Sequence, residues 1–498
     1  MTTFSSHLPL DLLKQIQAFL PEDTPLYVVG GAIRDAMLDR PIHDLDLILP
    51  GNVIETGRKL AHHLKAAFYP LDVERDTVRL FLSEPLGELK CLDIAAMRGP
   101  DLESDLRDRD FTINAMALAL HNDCSLVDPL NGAADLRHRQ LRACSETSIR
   151  NDPVRAVRAV RQAIALGLKI DPQTQQLIRE AAPLLVDVSR ERLRDEIFRI
   201  LDGPRPAAAI RTLDLLGALP YTLPELSALK GITQPLPHTH DAWTHTLAAA
   251  QKLHTLLNVL AQEPDPEISA NWTYGLVSLR LGRYRSQLDE HLKSPLNPER
   301  SIKALLIMAA LYHDIGKPAT RKMDENRRIR FIDHERIGSQ LAGKRGHQLR
   351  LSNNEVERLK IIVGNHMRPI LLAKLPEMPT KRAIYRYFRD CGPAGVDIGL
   401  LALADTLATY ESSLPQEIWA RQLEVVRTLL ETWWENPRTV SPPALLNGYE
   451  LIQTFNLTPG KLIGQLLDEL RESQAAGEIH TREEALDFAR LWISKNQG

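Results

Sequence analysis

The stretch LYVVGGAIRDAMLDRPIHDLDLILP, residues 26–50, most narrows what this chain can fold into. Its apolar run HDLDLIL carries Asp44 and Asp46 two residues apart. Alternate residues of a strand share a face, so both carboxylates project to one side while Leu45 and Leu47 turn to the other. Such a strand belongs to a sheet that is packed on one face and open on the other. Carboxylates this close repel unless a cation lies between them, and hard oxygen ligands suit Mg²⁺ held together with substrate phosphates. Upstream, Gly30 and Gly31 join the strand-like YVV to the helix-like AIRDAML. Glycines there let backbone amides approach an anion at a helix N-terminus. A glycine turn or a pair of surface aspartates alone reads as structural. In order and about fifteen residues apart, they predict a phosphate cradle beside a metal-binding pair, as phosphoryl or nucleotidyl transfer requires.

The remaining pattern divides the chain. LYVVG, LDLILP, VRLFLS and LKCLDIAAM read as strands, and AIRDAMLD and VIETGRKLAHHLKAA as helices. Residues 1–145 therefore predict an α/β or α+β unit. From 146 onward the periodicity is almost wholly helical, with a proline-rich connector before 236 and a second break at 262–300. The expected division is 1–145, 146–235, 236–410 and 411–498, in keeping with a length of 498 residues. An apolar content of 44% with 25% charge is that of a soluble globular chain. The net charge of −3 leaves any nucleic-acid binding to a local patch. Cys91, Cys124, Cys144 and Cys391 are scattered without a C-x-x-C pair, so neither a zinc knuckle nor a disulfide framework is expected, and a reducing cytoplasm is. The first residues show no basic and apolar leader, and ALLIMAALYHDIGK runs into charge too early to span a bilayer. No membrane association is expected.

Taken in order, GGAIRD…HDLDLIL, RDFTINAMAL at 109–118, DPLNGAADLRHRQLR at 128–142 and NDPVRAVRAVRQAIALGLKI at 151–170 resemble the class II tRNA nucleotidyltransferase and bacterial poly(A) polymerase family. The resemblance covers roughly the first 235 residues and implies an α+β fold, a head with a mixed sheet followed by helical domains. It implies an enzyme whose head holds two Mg²⁺ ions on Asp44 and Asp46, activating an RNA 3′-hydroxyl and stabilising departing pyrophosphate. Asp93 in CLDIAAM is either a third carboxylate of that site or a strand-end aspartate. Arg34 meets the triphosphate, and Arg109 and Asp110 of the RDFTINA motif contact the nucleotide's sugar and phosphates. Asn114 stands between a binding and a structural role. In NDPVRAVR, Asp152 accepts from the exocyclic amine of cytosine or adenine while Arg155 donates to the ring nitrogen, a pattern uracil and guanine reverse. Arg158 and Arg161 continue the stripe at helical spacing and either hold RNA phosphate or form a solvated face. The implied partners are a tRNA acceptor end, CTP and ATP. Two departures stand out. Asn151 replaces the family's usual glutamate, and only eight residues separate Arg98 from Arg107 where the family carries a flexible loop that swaps the pocket from C to A. Asp108 also replaces an expected arginine. The short segment resembles the CC-adding branch, so CC addition is expected and the terminal A is the open step; a poly(A) polymerase is the alternative.

A second ordered set, AWTHTL, LYHDIGK, FIDHERIGSQLA, GNHMRP and LALADTLA, resembles the HD phosphohydrolase superfamily. It implies His245, His313, Asp314 and Asp405 as ligands, His334 and His366 as the extra ligands of two-metal members, and Lys317 on a phosphate oxygen. Imidazoles with carboxylates suit a divalent transition metal whose bound water attacks a phosphate ester. Such a unit would trim or repair RNA ends, or serve only as an RNA-binding body. The basic run RKMDENRRIRF at 321–331 reads as a mobile solvated loop or part of an RNA track. Beyond 411, helices bearing Trp419, Trp433 and Trp434 read as packing without chemistry.

Overall fold

Seven strands between Tyr27 and Val127 form one sheet in the computed structural model, which describes residues 8–22, 24–87, 89–120, 125–297 and 300–496. They are β1 (Tyr27–Val29), β2 (Asp44–Leu49), β3 (Ala67–Asp72), β4 (Thr77–Leu86), β5 (Leu89–Ala96), β6 (Ala117–Ala119) and β7 (Ser125–Val127), in spatial order β3-β4-β5-β2-β1-β6-β7. β2 and β5 run parallel and the other neighbours antiparallel, so the sheet is mixed. Its alternate apolar residues, among them Leu45, Leu47, Val78, Leu80, Leu92 and Ile94, are buried with Leu13, Ile16, Ile33 and Leu60 from the helices Leu10–Phe19, Gly31–Met37 and Val53–His63. That packing covers one face; the other carries Asp44, Asp46, Asp93 and Arg79 beside a smaller apolar cluster of Val29, Ile48 and Ala117.

Two differences from the sequence pattern have simple causes. The helix expected to run through KAA ends at His63; Lys65 takes a left-handed backbone and the chain turns into β3. β6 and β7 have three residues each, too short and too alanine-rich to signal a strand, and exist because they pair with each other and with β1. Cys124 lies outside the described residues.

The DPLNG stretch, residues 128–132, is a clamp. The Asp128 carboxylate accepts from the amides of Gly132 and Ala133 at 2.7 and 3.0 Å, capping the helix Gly132–Arg137. From that helix Asp135 accepts from the Thr112 hydroxyl at 2.5 Å and from Arg142 at 2.9 Å. A Cβ on Gly132 would stand 2.0 Å from the Thr112 carbonyl oxygen, so only glycine permits this approach. The clamp fixes the turn Thr112–Asn114 inside the RDFTINA motif.

The contacts divide the chain into two compact units, Met1–Arg192 with Thr212–Thr222, and Leu193–Arg211 with Leu223–Gly498. The sheet and the helix Val154–Leu166 belong to the first. The second is built on the helices Ala242–Val259, Ile302–Tyr312, His334–Gln348, Asn353–Asn365 and Ala394–Tyr410. Its basic segment forms a hairpin, Arg321–Met323 paired with Ile329–Phe331, whose turn is held by Asp324 accepting from the Asn326 and Arg328 amides and from Arg330. Trp419 is fully buried, and the last helices enclose a small core around Leu451, Leu466, Leu470 and Ala489. Among the described residues no single helix is long and apolar enough to cross a membrane.

Gly132→Ala is expected to cost about 1–3 kcal/mol through overpacking. It should lower the thermal midpoint by circular dichroism and loosen amide protection at residues 110–116. Unaltered exchange there would refute the clamp.

Candidate functional site

The register of β2, β5 and β4 assembles the open face of the sheet. Asp44 stands opposite Cys91, Asp46 opposite Asp93, and Asp93 opposite Arg79. Arg79 binds both oxygens of Asp93 at 2.7 Å, so this third carboxylate is neutralised by a guanidinium. The Cys91 thiol donates to Asp44 Oδ1 at 3.0 Å; burial and that bond push it up to about 12, which keeps it a donor. Asp46 is half-buried. Burial, then the charge of Asp93, raises its carboxyl to about 6, against partial relief from Arg109. Gly30 has φ +73, and a Cβ there would lie 3.1 Å from Asp46 Oδ2 and 3.2 Å from Arg109 Nη1. Glycine therefore serves to admit the carboxylate against the backbone, while the Gly30 amide donates to the Met116 carbonyl at 3.4 Å. Gly31 opens the helix that carries Arg34.

Over the C-terminal halves of these strands lies a cavity of about 290 Å³, lined by Asp46, Asp93, Arg98, Asp105, Asp108, Arg109, Asp110, Arg155 and Arg158 among others. Its wall is a hydrogen-bonded knot. Asp105 accepts from Arg109 at 3.2 Å and from the Arg98 amide at 3.0 Å. Asp110 accepts from the Phe111 amide and from Asn114, and pairs with Arg158 at 3.3 Å. Asn114 also donates to Gln162 and accepts from Arg34 at 2.8 Å. Arg155 donates to the carbonyls of Asp108, Arg109 and Ser148, and its buried Nε has no hydrogen-bond partner. That Nε is 3.7 Å from Asp152, which accepts from Arg192 at 2.7 Å. Neither Asp44 nor Asp152 lines the cavity. Arg34, held bidentately by Asp35, lines a separate cavity of about 330 Å³ with Arg40, His43 and Arg161. Sequence reasoning missed Arg79, Cys91 and Asp105. The signal was there for Asp105, four residues before Arg109 on a helical turn, and for Arg79, which alternates with buried Val78 and Leu80.

In the second unit the six predicted ligands converge. His313 and His366 follow the last turns of their helices and His334 opens one; each donates Nδ1–H to the carbonyl three residues earlier, Ala310, Val363 and Phe331, at 2.7–2.8 Å. Their Nε2 atoms are thereby left as lone pairs. Asp314 stands between two sets. Oδ2 is 3.6 Å from His245 and 3.2 Å from His313, and Oδ1 is 3.5 Å from His334 and 3.9 Å from His366. Asp405 is 3.0 Å from His245 and 3.8 Å from His313. His245 and His313 keep buried ring nitrogens without a hydrogen-bond partner. Burial drives His366 down to about 3, so that ring is neutral; His313, although burial opposes it, is raised by Asp314 and Asp405, and with Lys317 it holds Asp314, again against burial, well below the usual carboxylate range. Imidazole nitrogens aimed at ionised carboxylates, some of them without a hydrogen-bond partner, form a donor set that can hold a metal ion. The adjoining cavity, about 370 Å³, is lined by Lys317, His238, Arg330, Phe331, Lys374 and Tyr410 among others.

The raised Asp46 carboxyl has a thermodynamic consequence. Below its ordinary value of 3.8 it is protonated folded or unfolded and has no effect; between 3.8 and about 6 the unfolded chain ionises first; above about 6 the full cost of the buried charge is present. A cation at the carboxylates removes that cost. MgCl₂ should therefore raise the thermal midpoint more at about pH 7.5 than at about pH 5, and Asp46→Asn should erase the difference. Equal shifts at both values would contradict the assignment.

The comparisons with known proteins bear on the same residues. A profile of the "Poly A polymerase head domain" matches residues 26–142, one for the "Probable RNA and SrmB- binding site of polymerase A" matches 167–230, and an HD domain profile matches 278–409. The chain is 34% identical to an A-adding tRNA nucleotidyltransferase of Deinococcus radiodurans, covering 95% of this chain and 96% of the relative. It is 31% identical to a CC-adding tRNA nucleotidyltransferase of Thermus thermophilus, covering 95% and 94%. A solved CCA-adding enzyme in complex with CTP shares the fold at a TM-score of 0.60 and 18% identity, over 98% of this chain and 96% of the other. With the carboxylate face, the RDFTINA knot and the HD ligands in place along its length, this chain belongs to the tRNA nucleotidyltransferase family.

Proposed function

We propose that this protein adds cytidylate to the 3′ end of tRNA from CTP, completing CC, in the cytoplasm. The observation that carries the reading is the juxtaposition of Asp46 with Arg109, Arg155 and Arg158 around one cavity. Asp44 and Asp46 would hold Mg²⁺, which when bound would supply activation of the RNA 3′-hydroxyl and stabilisation of the pyrophosphate. Arg109 and Arg158 meet the triphosphate and sugar. Arg155 reads the base with Asp152: its unsatisfied Nε is a donor for a ring nitrogen, and its anchorage on the carbonyls of Asp108 and Arg109 ties base choice to the phosphate-binding motif. A base with reversed polarity leaves those groups unpaired. The short segment between Arg98 and Arg107, folded as the six-residue helix Leu102–Arg107, supports CC addition. The name of the 34% identical relative favours a second reading, addition of the terminal A.

Transcripts ending before, within and after CC, each supplied with CTP or ATP singly, separate the readings. Incorporation of C on the first two is expected, and of A alone on the third under the second reading. Asp44→Ala should abolish incorporation, and Arg155→Ala should cut the preference for CTP over UTP by about 10- to 100-fold. Long ATP-only tails on unrelated RNA, or no incorporation anywhere, would overturn the proposal.

We also propose that the HD centre, loaded with a divalent transition metal, hydrolyses phosphate esters at RNA ends, with Lys317 and Arg330 beside the cavity to meet phosphate oxygens. Convergence of three oriented imidazoles on Asp314 supports this. Release of phosphate from 3′-phosphorylated RNA should survive Asp44→Ala and vanish in Asp314→Asn; no release with any added metal would leave the centre a structural one.

A further inference from the structure

The open face of the sheet does not end at the carboxylates. From Asp46 the cross-strand row runs through Asp93 and Arg79 to Tyr69 on β3, and from Asp44 through Cys91 to Phe81 on β4. Residues directly opposite in a ladder share a face, and two of these links are visible as bonds, Arg79 to Asp93 and Cys91 to Asp44. Val78, Leu80 and Phe68, which alternate with them, lie on the packed side, against Gly57 and the helical core. Tyr69 is nevertheless 58% exposed and Phe81 46%, two rings left in solvent on the catalytic face.

Their position relative to the cavity says what they meet. The cavity lies over Asp46, Leu47, Ile48, Ala95 and Ala96, towards the C-terminal ends of β2 and β5. Asp44, Cys91 and Phe81 lie at the other end and line none of it. In an in-line displacement the attacking oxygen enters opposite the leaving group, so with the nucleotide in the cavity the RNA end comes from the Asp44 side. At a strand spacing of about 4.8 Å, Phe81 is about 10 Å from Asp44 and Tyr69 about 14 Å from Asp46, within reach of the last few nucleotides of a single strand. Aromatic side chains bind unpaired bases through their faces and tolerate any base, which suits an acceptor whose terminal base changes with each addition.

We infer that Phe81 and Tyr69 form a stacking platform for the unpaired 3′-terminal bases of the RNA acceptor. The inference rests on the nucleotidyl-transfer reading above. It is tested with the full chain, a tRNA transcript lacking its terminal nucleotides, and CTP. Phe81→Ala and Phe81→Ala/Tyr69→Ala should raise KM for the transcript roughly 5- to 100-fold with kcat and KM for CTP unchanged. Phe81→Trp should restore the wild-type value and Phe81→Leu should not. A 2-aminopurine at the transcript's 3′ end should be quenched on binding to the wild type and stay bright with the double variant. Unchanged KM and quenching would overturn the platform, and so would rescue by leucine or a change in oligomeric state, both signs of a protein-docking face. A wild type that incorporates nothing marks failure of the transfer reading instead, and the quenching, which needs binding and no turnover, then decides the platform by itself.

Discussion

Parallel pairing of β2 with β5 is the constraint from which the chemistry of the first unit follows. It sets Asp46 directly beside Asp93, and two carboxylates so placed cannot both stay ionised without a cation. The neighbouring strand β4 supplies one, Arg79, but its fork is taken up by Asp93. Asp46 is left with only partial relief from Arg109, and burial and then Asp93 displace its carboxyl upward in pKa. A partly balanced carboxylate beside an arginine-lined cavity is the charge pattern that the proposed cation and triphosphate would complete.

The second unit reaches a metal-ready arrangement by another route. Its rings are oriented by carbonyls, and for His313 and His366 these are the orphan carbonyls of a helix's last turn. Placing a histidine just after a helix thus satisfies the backbone and aims Nε2 inward in one step. Asp314, with one oxygen towards each pair of imidazoles, makes a single donor group out of residues that are 121 positions apart in sequence, from His245 to His366.

Several residues matched by motif turn out to be scaffolding. Asp128, Gly132 and Asp135 serve to hold Thr112 and so the turn that presents Arg109 and Asp110. Asn114 is spent on Asp110, Gln162 and Arg34. A motif records what must be present for the site to form, and much of that is support rather than contact with substrate.

The alternation of Asp44 and Asp46 with leucines was enough, by itself, to place both carboxylates on one strand face, and periodicity to separate a strand-bearing first part from a helical remainder, because face and period are local properties of the chain. The candidate residues of both centres came from the ordered motifs by resemblance. Tertiary structure alone decided that Arg79 neutralises Asp93, that Arg155 leans on three carbonyls, that Arg34 and Arg161 border a different cavity from Arg109, and that β6 and β7 exist at all. Each of these depends on which strand or helix comes alongside, and cross-strand register is set by the whole sheet, beyond anything a run of neighbouring residues encodes.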